Sequence, residues 1–190
     1  PLANMRDTDT LDPRAPPVPA HDAPHELAIF WDYENMPLPS DSASAALTIQ
    51  RLRKSAQLLG TLTECRLYHD SARQRKNLAT KHRDVLKGAG FSLIDCPTSD
   101  KKEALDKHLL VDMCLFALER AAQRRPVGVI LVSSDGDYAY ALSRLRQRGT
   151  RTIVVCSSRS SPALQFSCDE VYAWDKFAGN SALSLRGSPD

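Results

Sequence analysis

Between residues 26 and 178, short apolar runs of strand length alternate with stretches whose apolar residues recur at helical spacing. The run at 127–132 is apolar throughout, as in strands buried on both faces, whereas 102–123 has apolar residues on one helical face. Repeated strand-then-helix alternation predicts an α/β fold, with a mainly parallel sheet of five to six strands and helices on both faces. In such sheets the functional site lies at the carboxyl ends of the strands.

The two ends of the chain differ in composition from this region. Residues 1–25 hold six of the twelve prolines and few large apolar side chains, which predicts a flexible Pro-rich arm. Residues 179–190 are predicted to form a flexible polar tail. The chain begins with Pro1 rather than Met, so we expect it to be a piece of a longer protein with flanking domains.

Charge and cysteine content restrict the partners and the compartment. The formal net charge of +2 argues, by itself, against a strong binder of polyanions. No apolar run is long enough to span a membrane, and no membrane partner is expected. The five cysteines lack zinc-ligand spacing and lie mostly in or beside apolar runs. We therefore expect reduced, buried thiols in an intracellular protein, with the cytoplasm favoured and an organelle not excluded.

Acidic residues follow three of the apolar runs. Asp32 follows the first predicted strand (27–31), Asp70 follows the second (65–68), and Asp135 follows the fourth (127–132). Asp106 lies in the first turns of the predicted helix at 102–123. All four belong at one edge of a parallel sheet, where their mutual repulsion is relieved by a cation. Oxygen ligands without His or Cys are those of Mg²⁺ or Mn²⁺. Asp112 is expected on a different helix face, paired with a basic neighbour or in solvent.

Each of these side chains also has an ordinary structural explanation, because Asp and Asn commonly form turns and helix caps at strand ends. Asp137 is expected to cap the helix that it opens. Asn35 could orient a substrate phosphate or a metal-bound water, or simply hold its turn. Ser133 and Ser134 are expected to hydrogen-bond the carboxylates or the caps.

Spacing excludes several other proteins that use carboxylates on an α/β sheet. A haloacid-dehalogenase-type phosphatase needs a second Asp two residues after the first, where this chain has Glu34. A metal-dependent adhesion site needs the motif DxSxS, but here Asp32 is followed by Tyr33, Glu34 and Asn35, so the first serine is missing. The acidic pair of a receiver domain is not evident, and neither a P-loop nor GxGxxG occurs. A metal-dependent nuclease of PIN-like type remains.

Two segments resemble the motifs of the NYN domain, a branch of the PIN-like nuclease superfamily. They are 29–37 (IFWDYENMP) and 131–138 (LVSSDGDY), and the resemblance extends over about 26–178. It implies a three-layer α/β/α PIN-like fold and a Mg²⁺- or Mn²⁺-dependent endoribonuclease that acts on single-stranded RNA. By position, the family's acidic set falls on Asp32, Asp70, Asp106 and Asp135, the same four that the strand ends select.

The expected mechanism is hydrolysis by an activated water. Asp32, Asp106 and Asp135 would hold one or two divalent ions, with Asp70 completing the acidic site directly or through water. Such cleavage leaves a 5′-phosphate and a 3′-hydroxyl.

RNA beside an acidic site requires basic and aromatic side chains at the rim. The first choices for phosphate contacts are basic residues expected to start helices at this edge, and the choices for base stacking are tyrosines in turns there. Trp31, inside a strand, is expected in the core, and the arginines within 144–151 are weaker choices. The predicted substrate-binding residues are Arg73, Lys101 and Lys102 for phosphate, Tyr33 and Tyr138 for bases, and Asn35.

Two other functions stay open at this point. The domain could be a catalytically inactive NYN module that binds RNA or protein, which the four filled acidic positions disfavour. It could also be a structure-specific DNA nuclease on a related fold. A homodimer is compatible with the sequence.

Overall fold

The computed structural model describes residues 24–72, 78–97 and 104–179, so the predicted arm and tail lie almost entirely outside the described residues. Its six strands are β1 (Glu26–Asp32), β2 (Thr61–His69), β3 (Ser92–Asp95), β4 (Val127–Val132), β5 (Arg151–Cys156) and β6 (Glu170–Ala173). Its helices are α1 (Ser42–Leu59), α2 (Thr80–Gly88), α3 (Ala104–Ala122), α4 (Ala139–Arg146), α5 (Pro162–Phe166) and α6 (Trp174–Phe177), with a 3₁₀ turn at Gly136–Tyr138 before α4.

The strands form one sheet in the order β3-β2-β1-β4-β5-β6, and every neighbouring pair is parallel. The chain starts in the middle at β1, moves outward to β3, and then crosses back to place β4 on the other side of β1. Where the direction of winding reverses, between β1 and β4, adjacent loops leave the sheet on opposite sides and open a crevice at the carboxyl ends. The predicted sheet is confirmed, and this crevice is where the predicted site belongs.

The side chains of β1 alternate between two apolar layers. Leu27, Ile29 and Trp31 pack with α1, α2 and α6 on one face of the sheet. Ala28 and Phe30 pack with α3, α4 and α5 on the other face. Because both faces are covered, β1 and β4 are buried along nearly their whole length. The three-layer α/β/α prediction is confirmed.

The second helix is shorter than its sequence pattern predicts. A basic amphipathic pattern over 73–87 predicts a helix of that length. In the structure α2 begins at Thr80, and Leu78 and Ala79 before it are not helical. Leu78 is buried, so it anchors the approach to the helix in the core instead of extending the helix itself. Residues 73–77 lie outside the described residues.

All five cysteines are free thiols, and four of them are buried, as predicted. Burial raises the pKa of Cys65, Cys96 and Cys168 to about 11, so these thiols stay protonated and unreactive at neutral pH. In the described part of the chain, no helix combines the length and the apolarity needed to cross a bilayer.

Candidate active site

The first acidic residue, Asp32, is the last residue of the central strand β1 and is fully buried. The turn that follows folds back on its carboxylate. The Asn35 backbone N–H donates to Oδ1 at 3.2 Å, and the Asn35 side-chain amide donates to Oδ2 at 2.5 Å. Asn35 therefore holds the orientation of Asp32, which accounts for the Asp–x–x–Asn spacing of the motif.

Ser133 connects Asp32 to the end of the neighbouring strand. It directly follows β4, and its hydroxyl lies 3.1 Å from Asp32 Oδ2. The same hydroxyl oxygen accepts the backbone N–H of Asp135 at 3.1 Å. One buried side chain thus fixes the β1 carboxylate relative to the loop that carries Asp135.

Asp135, rather than Asp137, is the residue that caps the following turn. Asp135 Oδ1 accepts the Asp137 backbone N–H at 3.0 Å, and the 3₁₀ turn begins at Gly136. The prediction of Asp137 as the cap was wrong, because the turn starts one residue earlier than the helical pattern indicates. Asp137 lies inside that turn with its side chain exposed.

Tyr138 joins a third segment to this group. Its ring is fully buried, and its hydroxyl donates to Asp106 Oδ1 at 2.8 Å while lying 3.3 Å from Asp32 Oδ2. Asp106 is in the first turn of α3. The ends of β1 and β4 and the start of α3 therefore present Asp32, Asp135 and Asp106 around one crevice.

The neighbouring carboxylates act on one another electrostatically. Burial raises the pKa of Asp106, the hydrogen bond from Tyr138 opposes that shift, and the charges of Asp32, Asp135 and Asp137 raise it further. The pKa of Tyr138 is also strongly raised, by burial and by the charges of Asp32 and Asp106. The site concentrates negative charge that favours binding of a cation.

Asp70 lies beside this group on the next strand. Asp32 is in register with Tyr68 of β2, so Asp70 stands two residues beyond that level at the same edge. It is buried, and its Oδ1 accepts the Ala72 backbone N–H at 2.8 Å. Neighbouring His69 is buried as well, and burial lowers its pKa. The structure thus places Asp70 at the predicted edge and ties its carboxylate to its own turn.

The side chains fit a divalent cation by their chemistry. Asp32, Asp106 and Asp135 offer carboxylate oxygens, the donors that Mg²⁺ and Mn²⁺ prefer, and their repulsion disfavours the ion-free arrangement. Among the residues described, no three His, Cys, Asp or Glu side chains already stand in a metal-binding arrangement. The metal site therefore stays a prediction.

The predicted stacking role of two tyrosines is wrong for this structure. Tyr33 is 5% exposed and Tyr138 is fully buried, so neither ring face is open to a base. Both were expected at the surface because they lie in turns, but Tyr33 packs against Trp31 and Tyr138 points inward. Trp31 is in the core, as predicted, and its indole N–H donates to the Met36 carbonyl at 2.8 Å.

Ser134 also differs from its predicted role. Its hydroxyl lies 3.0 Å from the hydroxyl of Ser157 and accepts the Ser157 backbone N–H at 3.0 Å. Successive residues at a strand end point to opposite sides, so Ser133 faces the carboxylates and Ser134 faces the β5 loop.

The basic residues that were considered for contacts with RNA phosphates lie in different parts of the chain. Arg73, Lys101 and Lys102 lie outside the described residues. The arginines within 144–151 lie at the wrong edge, because α4 runs from the site to the amino end of β5, where Arg151 pairs with Glu170 at 2.6 Å. Asp112 pairs with Arg66 at 3.1 Å, away from the site, as predicted.

The sequence interpretation missed Arg159. It is exposed in the loop that follows β5 at the carboxyl edge, two residues after Ser157, which contacts the residue next to Asp135. Its position directly after a buried strand could have identified it, because the same criterion selected the carboxylates. Arg159 is the one basic residue in the described loop 157–161.

Comparisons with known proteins agree with this picture. A family model described as the NYN domain matches residues 26–175. The chain is 29% identical over 152 residues to "Meiosis regulator and mRNA stability factor 1" of Gallus gallus and of Bos taurus, and 28% identical to that of Mus musculus. These matches cover 80% of this chain and 8% of each relative, so the chain spans a small part of their length.

A solved structure is similar in fold. A protein of unknown function from Vibrio parahaemolyticus superposes with a TM-score of 0.58 at 20% identity, covering 80% of this chain and 94% of that one. The MAR1 ribonuclease from Caenorhabditis elegans gives a TM-score of 0.38 at 18% identity, covering 76% and 71%, which is too low to support an argument.

Proposed function

The chain belongs to the NYN domain family, and from this we propose that it is a divalent-metal-dependent endoribonuclease that cleaves single-stranded RNA. The family match agrees with the resemblance of the motifs at 29–37 and 131–138. RNA as the substrate is supported by this family membership and by two exposed basic residues at the carboxyl edge of the sheet, Lys107 and Arg159.

One observation carries the proposal. The buried Asp32 carboxylate lies within hydrogen-bonding distance of two hydroxyls, that of Ser133 beside Asp135 and that of Tyr138, which also holds Asp106. These contacts link three separate segments of the chain at the edge where a parallel sheet binds its ligand, which supports the proposed acidic site. An arrangement needed only for folding would place basic side chains among them, as the fold does around Asp112.

Each residue has a role in this proposal. Asp32, Asp106 and Asp135 would hold Mg²⁺ or Mn²⁺, with Asp70 completing the acidic site directly or through water. When bound, the ion supplies Lewis-acid polarisation of the phosphate and lowers the pKa of a water molecule. Asn35 and Ser133 keep Asp32 in one orientation, so that it needs little rearrangement during the reaction. The expected products carry a 5′-phosphate and a 3′-hydroxyl.

The RNA backbone would lie along the rim of the crevice. Lys107 is exposed in the first turn of α3 next to Asp106, and Arg159 is exposed beyond β5. Residues 26–178 hold 22 Lys and Arg against 18 Asp and Glu, and several of those acids form the crevice itself. The small net charge of +2 therefore does not argue against a polyanionic substrate.

The test compares cleavage of single-stranded RNA and of DNA with Mg²⁺, with Mn²⁺ and with a chelator. We expect RNA cleavage that is lost with the chelator and lost in Asp135→Asn, while RNA binding remains. Asp112→Asn is the matched control, because this carboxylate pairs with Arg66 outside the site. RNA binding without cleavage would identify an inactive binding module, and preferential cleavage of DNA would identify a DNA nuclease.

A further inference from the structure

The Tyr138 hydroxyl occupies an unusual position in the core. The ring packs among apolar side chains of α3 and α4, such as Leu105 and Leu142, and is fully buried. Phenylalanine would fill the same space. What distinguishes tyrosine here is a hydroxyl placed between two carboxylates, 2.8 Å from Asp106 Oδ1 and 3.3 Å from Asp32 Oδ2.

We propose that Tyr138 is a positioning residue for the metal ligands, whose hydroxyl fixes the Asp106 carboxylate against Asp32 before an ion arrives. This inference rests on the proposed function. It assigns no contact with substrate or with the reacting atoms to Tyr138, because the buried ring reaches neither.

The two carboxylates depend on this hydroxyl to different degrees. Asp32 also accepts hydrogen bonds from Asn35 and Ser133 and is fully buried, so it keeps its orientation without Tyr138. Within the described residues, Asp106 accepts a hydrogen bond from no other side chain, and it is only partly buried.

Repulsion between Asp106 and the neighbouring carboxylates is the reason that Asp106 needs the hydrogen bond from Tyr138. Asp32, Asp135 and Asp137 carry the same charge as Asp106, and like charges repel, so without the hydroxyl this repulsion would drive the Asp106 carboxylate away from them. A phenolic proton has one acceptor at a time, and the shorter distance assigns it to Asp106. Without this hydrogen bond, the Asp106 carboxylate can turn away from the site. Binding of a divalent ion must then bring the carboxylate back, which lowers the affinity of the protein for the ion.

The test measures Mn²⁺ affinity of the full chain by the electron paramagnetic resonance signal of free Mn²⁺, with no RNA and no turnover. We expect Tyr138→Phe to bind Mn²⁺ about 10-fold more weakly than the wild type, as for other partners of metal ligands. Tyr68→Phe is the matched control. Tyr68 is equally buried and donates to the carboxylate of Asp112 at 2.7 Å, so it loses the same kind of bond outside the site.

The outcomes separate this inference from the proposed function. Equal or tighter Mn²⁺ binding by Tyr138→Phe overturns the positioning role and leaves the proposed function standing. Absence of Mn²⁺ binding by the wild type overturns both. Thermal unfolding with a chelator checks folding, and similar losses in Tyr138→Phe and Tyr68→Phe would show that the difference in affinity is not general destabilisation.

A second measurement follows the effect to Asp106. Because Tyr138 is proposed to act through this carboxylate, Asp106→Ala, which removes the acceptor of its hydrogen bond, should weaken Mn²⁺ binding, and adding Tyr138→Phe should weaken it little further. Fully additive losses in the double variant would mean that Tyr138 acts by another route and would overturn the inference.

Discussion

The hydroxyl of Ser133 lies 3.1 Å from Asp32 Oδ2, and both residues are completely buried. Ser133→Ala removes this partner and also the acceptor for the Asp135 N–H. We expect RNA cleavage about 10-fold slower, because Asp32 and Asp135 lose their fixed relation, and a free energy of unfolding lower by about 1 kcal/mol. Steady-state cleavage assays and denaturant titrations measure the two effects.

Ser134→Ala serves as the control for that experiment. The Ser134 hydroxyl contacts Ser157 and the Met36 sulfur instead of a carboxylate. Cleavage should stay near the wild-type rate. Equal slowing in both variants would show that loop stability, rather than the orientation of Asp32, controls the activity.

Asp106→Asn should stabilise the protein when divalent ions are absent. The pKa of Asp106 is raised in the fold, by burial above all, so the folded state binds a proton more readily than the unfolded state does. The resulting loss of stability develops as pH rises from the ordinary value of 3.8 through the raised pKa, and it is complete above that pKa. Asparagine cannot ionise, so the variant does not suffer this loss of stability, and its side-chain oxygen can still accept the hydrogen bond from Tyr138.

Thermal unfolding with a chelator tests this prediction between pH 3 and pH 8. The variant should melt about 2 °C above the wild type at neutral pH, and the difference should disappear at the acidic end. A gain that is independent of pH would contradict the assignment of the effect to ionisation of Asp106.

The effect of Glu170→Gln on stability should depend on pH in the opposite way. Burial alone would raise the Glu170 pKa, but hydrogen bonds from Arg151 and Tyr172 outweigh it and lower that pKa below its ordinary value of 4.5. Its contribution is present above pH 4.5 and is lost as pH falls through the lowered pKa. We expect the variant to lose about 0.5 kcal/mol at neutral pH, a size usual for partly exposed pairs.

Acid unfolding followed by circular dichroism checks this expectation. The wild type and Glu170→Gln should converge in stability near pH 3. The exposed Glu119 on the outer face of α3 provides the control, and Glu119→Gln should follow the wild type throughout. Loss of RNA cleavage in Glu170→Gln at unchanged folding would contradict its purely structural role.

Arg159→Gln should weaken RNA binding and make it less sensitive to salt. If Arg159 contacts one phosphate, its removal lowers the slope of log affinity against log salt by about one. Arg148→Gln is the control, because Arg148 follows α4 near the opposite edge of the sheet and carries the same charge. Fluorescence anisotropy with a chelator measures binding alone. Equal slopes for the two variants would show that Arg159 does not contact the RNA.

The fold could be predicted because its signals are local. Apolar strands such as β4 and the helical pattern of α3 indicate covered sheet faces, and strand-to-helix alternation leaves a parallel sheet as the solution. The start of α2 could not be predicted. The basic pattern from Arg73 onward resembles a helix, but buried Leu78 lies before α2 in a contact that depends on the tertiary structure.

The candidate site was predictable to the level of its edge of the sheet, together with the hydrogen bond between Ser133 and Asp32. Strand ends place Asp32 and Asp135 at one edge of the sheet, since this follows from parallel topology alone. The direction of a turn side chain depends on packing across the sheet, so the inward orientation of Tyr138 was missed. Its bridging hydroxyl could not have been read from the sequence.

The separation of the carboxylates from the apolar layers has an evolutionary consequence. The sheet is held by side chains such as Ile29 and Ile130, whereas Asp32 and Asp135 lie at or just beyond the strand ends, outside the apolar layers. Under the proposed function, a descendant that replaced Asp135 would therefore keep its fold and lose cleavage. A single substitution would then separate a domain that cleaves RNA from one that only binds it.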